Sequence, residues 1–478
     1  MATFTLLFAD CPGLPMLKRG RTKIPVPMAA LFLIKERRLV FVLPRFSIGK
    51  PGQSANSKVN VAMIGAGGIA SQAYQGSRGE NIVALCDVDS RAFGRAKRKY
   101  APNAETFQDF RVMLDKLGKD IDMVCVNTPD HTHFAATIAA MERNIHVFTQ
   151  KPLTHNIWQA RTLKKAKDHY KVHTNMGNQG HTSAGIRQMR EWYEAGAFGQ
   201  ITEVHSFING PDWNGRYFKR PTLPLEEAPV PEQLNYDLWL GQNEHVPFNA
   251  LYHPRTWRGF NRFGTGTLGD WFCHVADAPV WVLGLYEPVS VEAVEVNGGS
   301  DLLVADGMTI RYTFKKRGTQ EVCVFYWHNG VTSLMPKDAA AWDYDISTKF
   351  PTAGTLYKGD KMNGYTSNRS DGPRVTNREK MMRFKEAGYP AEKYARVQNG
   401  PIAELVEVVK GNIKEAGANF DYASPFTEVM LLGLLASRYG GKIEWDAQNM
   451  RITNRPELNV HLKEPVRKGW EYGESLWS

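Results

Sequence analysis

Short apolar runs alternate with amphipathic segments between residues 58 and 180. The apolar runs are rich in β-branched residues, and they predict strands at 59–64, 82–86, 121–126, 145–148 and 172–176. The segments between them have helical periodicity, and they predict helices at 91–100, 107–117, 133–143 and 158–169. Strands and helices that alternate in this way build a doubly wound parallel sheet. We therefore expect an α/β domain of residues 58–180.

The pattern changes after residue 180. Apolar and polar positions alternate with period two at 201–208, 289–296, 308–315 and 321–328, which predicts half-buried strands. No helical pattern separates the last three, so we expect an α+β domain of residues 181–478 with a mostly antiparallel open sheet. A helix is predicted to begin at Ser424-Pro425 and to end at Gly440-Gly441. Residues 330–400 give no clear pattern.

Residues 1–57 do not have the pattern of a domain. Residues 1–58 contain ten Lys or Arg against two acidic residues, and therefore hold most of the net charge of +10. The rest of the chain is nearly neutral, which argues against a nucleic-acid partner. The apolar runs here are far shorter than the ~20 residues that span a bilayer. Arg37-Arg38 leaves two alternatives open: a disordered extension of a cytoplasmic protein, or a degenerate twin-arginine leader of a periplasmic one.

A glycine turn follows the first predicted strand. Its sequence is Gly65-Ala66-Gly67-Gly68-Ile69-Ala70. Gly65 can adopt a positive φ, Gly67 lets a pyrophosphate approach the backbone, and Ala70 lets the next helix pack on the strand. This combination predicts a Rossmann-type dinucleotide site.

The second predicted strand ends at Asp87, about 20 residues after the glycine turn, where a carboxylate meets the adenosine ribose in such sites. The carboxylate accepts hydrogen bonds from a free 2′-hydroxyl group and repels a 2′-phosphate group. We therefore expect NAD as the cofactor, with NADP less favoured. Arg91, Arg95 and Lys97 lie close behind and could weaken that preference.

Two further segments contain candidate catalytic residues. Lys151 follows a strand of the first sheet, at the edge where cofactor and substrate meet, and Lys151-Pro152 could be a cis peptide. Asp270 and His274 lie four positions apart, so on a helix the carboxylate can contact the imidazole and orient it as a general base. The alternatives are a solvated lysine and an ion pair that only stabilises the helix. A metal site that joins Asp270 and His274 to His131 or His133 has no established ligand spacing, and we expect no metal.

Aromatic and arginine side chains near Asp270 are candidates for binding sugar rings and hydroxyl groups. These residues are Trp213, Arg216, Arg255, Trp257, Arg258 and Trp271.

From about Asn60 onward the chain resembles the Gfo/Idh/MocA oxidoreductases, the family of glucose-fructose oxidoreductase and inositol dehydrogenase. The resemblance rests on the glycine turn, on Thr128-Pro129 with two following histidines, on the Lys151-Pro152 motif and on residues 264–277. It implies that Lys151, Asp270 and His274 act on the substrate. Candidate cofactor-binding residues lie at the strand ends, namely Asn127, Thr128, Pro129, His131, His133, Gln150, Lys151 and Asn178, in addition to Gly65, Gly67, Gly68, Ile69, Ala70 and Asp87.

The chain departs from the family pattern where Gln150 replaces the usual Glu before Lys151. The resemblance implies an NAD-dependent oxidoreductase acting on a sugar, a polyol or a sugar derivative, and a homo-oligomer. Two alternatives remain: a glycosidase or lyase that retains NAD and works through transient oxidation and elimination, and a nucleotide-binding protein without catalysis.

Overall fold

The computed structural model describes residues 58–209, 220–316, 323–330, 332–345 and 347–478. The predictions for residues 1–57, and those for Trp213 and Arg216, lie outside the described residues. The division of the chain at residue 180 stays a prediction, although the sheet changes close to that position.

Six parallel strands form the first sheet, in the order β3-β2-β1-β4-β5-β6. The strands are β1 (Asn60–Ile64), β2 (Asn81–Cys86), β3 (Glu105–Phe107), β4 (Met123–Val126), β5 (His146–Thr149) and β6 (Thr174–Met176). The connecting helices are α1 (Ala70–Gly76), α2 (Arg91–Lys99), α3 (Phe110–Leu117), α4 (His133–Met141) and α5 (Ile157–Tyr170). The strand order reverses at β1, where chains of this fold bind ligands. The predicted doubly wound sheet is confirmed.

The edge strand β3 was not predicted, because it has only three residues and the last of them, Phe107, is the first residue of the predicted helix 107–117. The helix begins only at Phe110, since the Asp109 side chain accepts a hydrogen bond from the backbone N–H of Arg111 and caps it. Residues 105–107 instead pair with β2.

Nine strands form the second sheet, in the order β13-β12-β11-β7-β10-β9-β8-β14-β15. They are β7 (Ile201–Ile208), β8 (Ser290–Asn297), β9 (Gly307–Phe314), β10 (Cys323–Asn329), β11 (Ala353–Gly359), β12 (Gly364–Thr366), β13 (Arg374–Val375), β14 (Gly441–Asp446) and β15 (Arg451–Ile452). Strands β7 and β10 pair in parallel, and the other pairs among the described residues are antiparallel. The mostly antiparallel second sheet is therefore confirmed.

Seven further α-helices lie in the described part of this second region. They are α6 (Ala184–Glu194), α7 (Tyr236–Leu240), α8 (Gly266–Val275), α9 (Asp277–Leu283), α10 (Arg378–Glu386), α11 (Gly400–Val409) and α12 (Phe420–Tyr439). Helix α12 packs against α5 of the first region and against α8 and β8 of the second. The two regions therefore share one apolar core along α12.

The predicted start of α12 at Ser424-Pro425 is wrong. Asn419 caps the helix by accepting a hydrogen bond from the backbone N–H of Asp421, so Pro425 lies inside the helix. The Ser424 hydroxyl group donates to the carbonyl oxygen of Ala160 on α5 at 2.7 Å and is not a cap. The predicted end at Gly440 is confirmed, and Gly440 has a φ of +68°.

The segment of residues 455–478, which we call the tail, returns to the first region. Trp470 is buried beside Phe110, and the Arg111 guanidinium lies 4.4 Å from its ring centroid. The indole N–H of Trp477 donates to the Thr162 hydroxyl group at 2.8 Å. The tail thereby covers the outer surfaces of α3 and α5.

Candidate active site

The glycine turn has the geometry that its sequence predicts. Gly65 has a φ of +84°, and its N–H donates to the carbonyl oxygen of Cys86 at 2.8 Å. A Cβ atom on Gly65 would lie 2.7 Å from the carbonyl oxygen of Asn127 on the neighbouring strand end. Ala70 is fully buried where α1 begins, while Gly68 has open space around it. The turn therefore lies close to the sheet and leaves backbone accessible beyond it.

Asp87 lies at the end of β2 and contacts this turn. Its carboxylate accepts hydrogen bonds from the backbone N–H groups of Ala66 and Asp89, both at 2.9 Å. Burial raises the pKa of Asp87, and the hydrogen bonds to Asp89 and Ala66 oppose that rise. Arg91 does not pair with Asp87, because its guanidinium binds both carboxylate oxygens of Asp89.

Buried polar atoms without partners in the described structure line the ends of β4, β5 and β6. They are the side-chain oxygens of Asn127 and Thr128 and both amide atoms of Gln150 and of Asn178. The Gln150 side chain lies against Gly177, where a Cβ atom would approach its oxygen to 2.5 Å. Buried polar groups need hydrogen-bond partners. Together with the accessible turn backbone, these groups fit the hydroxyl, phosphate and carboxamide groups of a dinucleotide.

The two histidines that follow Thr128-Pro129 do not join these groups. The ring nitrogens of His131 lie 2.8 Å and 3.2 Å from the carbonyl oxygens of Trp239 and Phe263. Those of His133 lie 2.7 Å and 2.8 Å from the carbonyl oxygens of Pro152 and Thr128. Each ring therefore lies between two backbone carbonyl groups and connects the loops around the site. Binding of the cofactor by His131 and His133 stays a prediction.

Lys151 is held by Asp270. Its ammonium group donates to the carboxylate of Asp270 at 2.5 Å and to the backbone carbonyl oxygen of the same residue at 2.8 Å. Burial alone would raise the pKa of Asp270, but the charges of Lys151 and Arg258 hold it well below its usual range. The peptide bond between Lys151 and Pro152 is cis.

His274 lies one turn after Asp270 on α8, and it is buried. Its Nδ1 atom has no hydrogen-bond partner in the described structure. The Asp270 carboxylate is bonded to Lys151, and the expectation that it also orients the imidazole stays a prediction. Burial, and then the charges of Lys151 and Arg369, hold the pKa of His274 well below its ordinary value. The ring is thus neutral at pH 7 and able to accept a proton.

The remaining aromatic and arginine candidates divide between site and core. Trp257 is buried in an apolar cluster, and its contact with a sugar stays a prediction. Arg258 stacks on its ring at 4.2 Å and lies 3.8 Å from the Asp270 carboxylate. Trp271 borders the site, with its ring 5.6 Å from that of His274. Arg255 is exposed, and its backbone carbonyl oxygen accepts a hydrogen bond from the Arg258 guanidinium at 3.4 Å.

Sequence patterns missed Arg369 and Ser370, which lie in the segment without clear periodicity. The Arg369 guanidinium lies 5.1 Å from the centroid of the Trp271 ring. The Ser370 hydroxyl group donates to the carbonyl oxygen of His274 at 2.7 Å and accepts from the N–H of Ala278 at 2.9 Å. The loop between β12 and β13 therefore fixes Arg369 beside the candidate base.

A metal centre and a membrane-spanning helix are both absent from the described residues. No cluster of three or more His, Cys, Asp or Glu residues there is arranged to hold a metal ion. None of the described helices combines the length and apolar character needed to cross a bilayer.

A glycine turn on a doubly wound sheet, with a Lys, Asp and His group at its carboxyl edge, defines the class of dinucleotide-dependent oxidoreductases. Residues 59–177 match the family model for the oxidoreductase family with an NAD-binding Rossmann fold, and residues 182–323 match the model for its C-terminal alpha/beta domain. The chain belongs to the Gfo/Idh/MocA oxidoreductase family. The resemblance, the oxidoreductase class and the NAD-binding Rossmann fold expected from the sequence are confirmed.

The chain is also similar to individual members. Inositol 2-dehydrogenase of Salmonella typhimurium is 26% identical over 204 residues, which are 41% of this chain and 57% of that protein. Levoglucosan dehydrogenase of Pseudarthrobacter phenanthrenivorans is 25% identical over 228 residues, which are 46% of this chain and 48% of that protein. The chain thus spans only about half the length of these relatives.

Among solved structures, the WlbA dehydrogenase from Bordetella pertussis in complex with NADH and UDP-GlcNAcA superimposes with a TM-score of 0.56 at 15% identity. The match covers 81% of this chain and 99% of that one. At this identity the match supports the fold alone.

Proposed function

We propose that this protein oxidises a secondary alcohol of a sugar, polyol or sugar derivative, with NAD as the hydride acceptor. The main support for the proposal is that Lys151, Asp270 and His274 lie together at one edge of the first sheet. The unpartnered amide groups of Gln150 and Asn178 lie at the same edge. The relatives named above are dehydrogenases of such compounds, which supports the substrate class.

The proton of the reacting hydroxyl group passes to His274. The neutral ring with an unpartnered Nδ1 atom suits this role, because a general base must be unprotonated at the working pH. Bound NAD⁺ supplies the acceptor for the hydride that leaves the substrate carbon. The proton and the hydride together are the two hydrogens that an alcohol loses when it becomes a ketone.

Lys151 stabilises the negative charge that develops on the reacting oxygen. An ammonium group has three N–H donors, and Asp270 occupies two of them. The third N–H can donate to the substrate oxygen, because the other two contacts hold the side chain in one orientation. Asp270 is therefore a positioning residue in this proposal, and Lys151 and His274 are the catalytic residues.

The experiment is an assay of the purified full chain with NAD⁺ and a panel of myo-inositol, levoglucosan, glucosides and hexuronates, with NADH absorbance as the measurement. Net NADH formation is the expected result. His274→Ala should lower turnover by at least the ~10²-fold typical of a lost general base and keep NAD affinity. The control is His169→Ala, because His169 is exposed on α5 and its ring contacts Tyr170.

Two results would contradict the proposal. His274→Ala with normal turnover would remove the catalytic role of this residue. Cleavage of a glucoside without net NADH would instead identify the glycosidase or lyase alternative. The homo-oligomer implied by the family resemblance also stays a proposal, which size-exclusion chromatography with light scattering would test.

A further inference from the structure

Two cations share one carboxylate beside His274. The ammonium group of Lys151 and the guanidinium of Arg258 lie 2.5 Å and 3.8 Å from the same oxygen of Asp270. One carboxylate is thus shared between two cations. Counted over Lys151, Arg258 and Asp270, with His274 uncharged, the charge is +1. The carboxylates of Asp130 and Asp277 also act on this part of α8, and they are hydrogen-bonded to Thr265 and to His181.

The guanidinium of Arg369 adds another positive charge beside this group. Its guanidinium stacks on the ring of Trp271, which borders His274. Within the described residues no carboxylate lies within ion-pair distance of Arg369, whereas the Asp89 carboxylate binds Arg91 and Glu191 binds Arg396. A guanidinium that lies over an aromatic ring and has no carboxylate partner can still donate hydrogen bonds, because its N–H groups lie in the plane of the guanidinium and point away from the ring.

The backbone on both sides of Arg369 is fixed. Ser370 is bonded to the carbonyl oxygen of His274 and to the N–H of Ala278. A Cβ atom on Gly180, just beyond β6, would lie 2.5 Å from the carbonyl oxygen of Arg369. The loop therefore packs against the edge of the first sheet through its backbone, while the Arg369 side chain is exposed and its guanidinium can be reached by a ligand from solvent.

We propose that the site takes an anionic carbohydrate, one that carries a carboxylate or phosphate group, and that Arg369 binds this group. The inference rests on the proposed function and narrows its substrate class. A guanidinium binds carboxylate and phosphate groups through two parallel hydrogen bonds. The flat face of Trp271 suits the apolar face of the sugar ring, and Arg258, which shares the Asp270 carboxylate with Lys151, adds a further positive charge.

The test measures binding by calorimetry to the full chain saturated with NADH, so that no turnover is needed. The probes are D-glucuronate, D-galacturonate and D-glucose 6-phosphate, each compared with its neutral parent, D-glucose or D-galactose. At least one anionic probe should bind at least tenfold more tightly than its parent. The uronates and the phosphate are separate arms, and they identify which of the two groups the site accepts.

Variants assign the preference to Arg369. Arg369→Met should abolish the tenfold preference and leave the affinity for the neutral sugar unchanged, because it removes the charge and keeps an apolar side chain on Trp271. Arg369→Lys should restore part of the preference, since the charge returns without the paired donors. Arg383→Met is the matched control, because Arg383 is a largely exposed arginine on α10.

Equal affinity for anionic and neutral probes in the unaltered protein would overturn the inference. An Arg369→Met variant that loses both kinds of ligand equally would also overturn it, since that result indicates a structural role. Failure of the proposed function is a separate outcome: no NADH forms from NAD⁺ with any sugar, whatever the binding measurements give.

Discussion

The ammonium group of Lys151 is bonded twice to Asp270, once to the carboxylate and once to the backbone carbonyl oxygen, across 119 positions of sequence. Lys151 follows the last residues of β5, and Asp270 lies in the first turns of α8. This ion pair therefore joins the nucleotide-binding sheet to the helix that contains the candidate base. Its geometry makes the two residues one functional unit, which a double-mutant cycle can detect.

Asp270→Asn should lower turnover by roughly 10²-fold, a loss of the size seen for displaced catalytic groups, because Lys151 loses the partner that orients it. Lys151→Met should have a similar effect. The double variant should be little worse than either single variant, since each removes the same interaction. The measurement is kcat for the three variants, with thermal unfolding to verify folding. Losses that add in the double variant would show that the residues act separately.

The kcat/KM of the enzyme should fall in acid only at pH values well below 6.5, the ordinary pKa of histidine. The reason is that burial, and then the charges of Lys151 and Arg369, depress the pKa of His274. A base with a depressed pKa stays unprotonated until the pH falls through that lowered value. Arg369→Met removes one of the opposing cations and should move this fall toward higher pH. Profiles of kcat/KM against pH test both statements, and a fall near pH 6.5 in the unaltered protein would contradict them.

Asp87→Ala should narrow the preference for NAD over NADP, because it removes the charge that opposes a 2′-phosphate group. The substitution should also lower the affinity for both cofactors, because Asp87 accepts a hydrogen bond from the backbone N–H of Ala66 in the glycine turn. The informative quantity is therefore the ratio of the two dissociation constants. Glu105→Gln, on the exposed end of β3, is the control. An unaltered protein that binds NADP as tightly as NAD would contradict the role of Asp87.

Acid should destabilise the fold through Glu191. Burial opposes ionisation, but hydrogen bonds from Arg396 and from the backbone N–H groups of Tyr394 and Lys393 lower its pKa to about 2. The unfolded chain, with a pKa near 4.5, takes up the proton first as the pH falls. The contribution of Glu191 is therefore complete above pH 4.5 and is lost between pH 4.5 and about pH 2.

Urea unfolding at a series of pH values would measure this loss. Arg396→Met should lower the free energy of unfolding at pH 7 by about 1.5–3 kcal/mol, the usual contribution of hydrogen bonds to a charged group, because Arg396 is only partly buried. The same variant should also show a smaller loss of the free energy of unfolding between pH 4.5 and about pH 2. Arg383→Met should change neither, because its partner Glu379 is exposed.

Local patterns were sufficient to predict the glycine turn and most of the first sheet. The Gly65 turn is set by residues adjacent in sequence, and a buried parallel strand such as β4 is a continuous apolar run. Strand β3 is too short for such a run. Helix α12 begins before Pro425 because Asn419 supplies the cap and tertiary contacts stabilise the first turn.

The partners in the site could not be predicted in the same way. Spacing on α8 correctly placed Asp270 and His274 one turn apart, but it could not include Lys151, which reaches Asp270 from another element. The motif after Thr128 predicts that His131 and His133 bind the cofactor, but the carbonyl groups of Trp239 and Pro152 that lie beside their rings belong to residues outside the motif. Arg369 lies in a segment whose only local signals are turns.

The position of the tail has a consequence for synthesis on the ribosome. Thr162 and Trp477 are 315 residues apart in sequence, and His155 pairs with Glu464 across 309 residues. The nucleotide-binding sheet can thus emerge and begin to fold while the segments that cover α3 and α5 are still untranslated. Apolar surface around Phe110 and Trp158 is exposed during that interval. Ribosome-bound nascent chains that stop before residue 455 should therefore engage chaperones more strongly than those that include the tail.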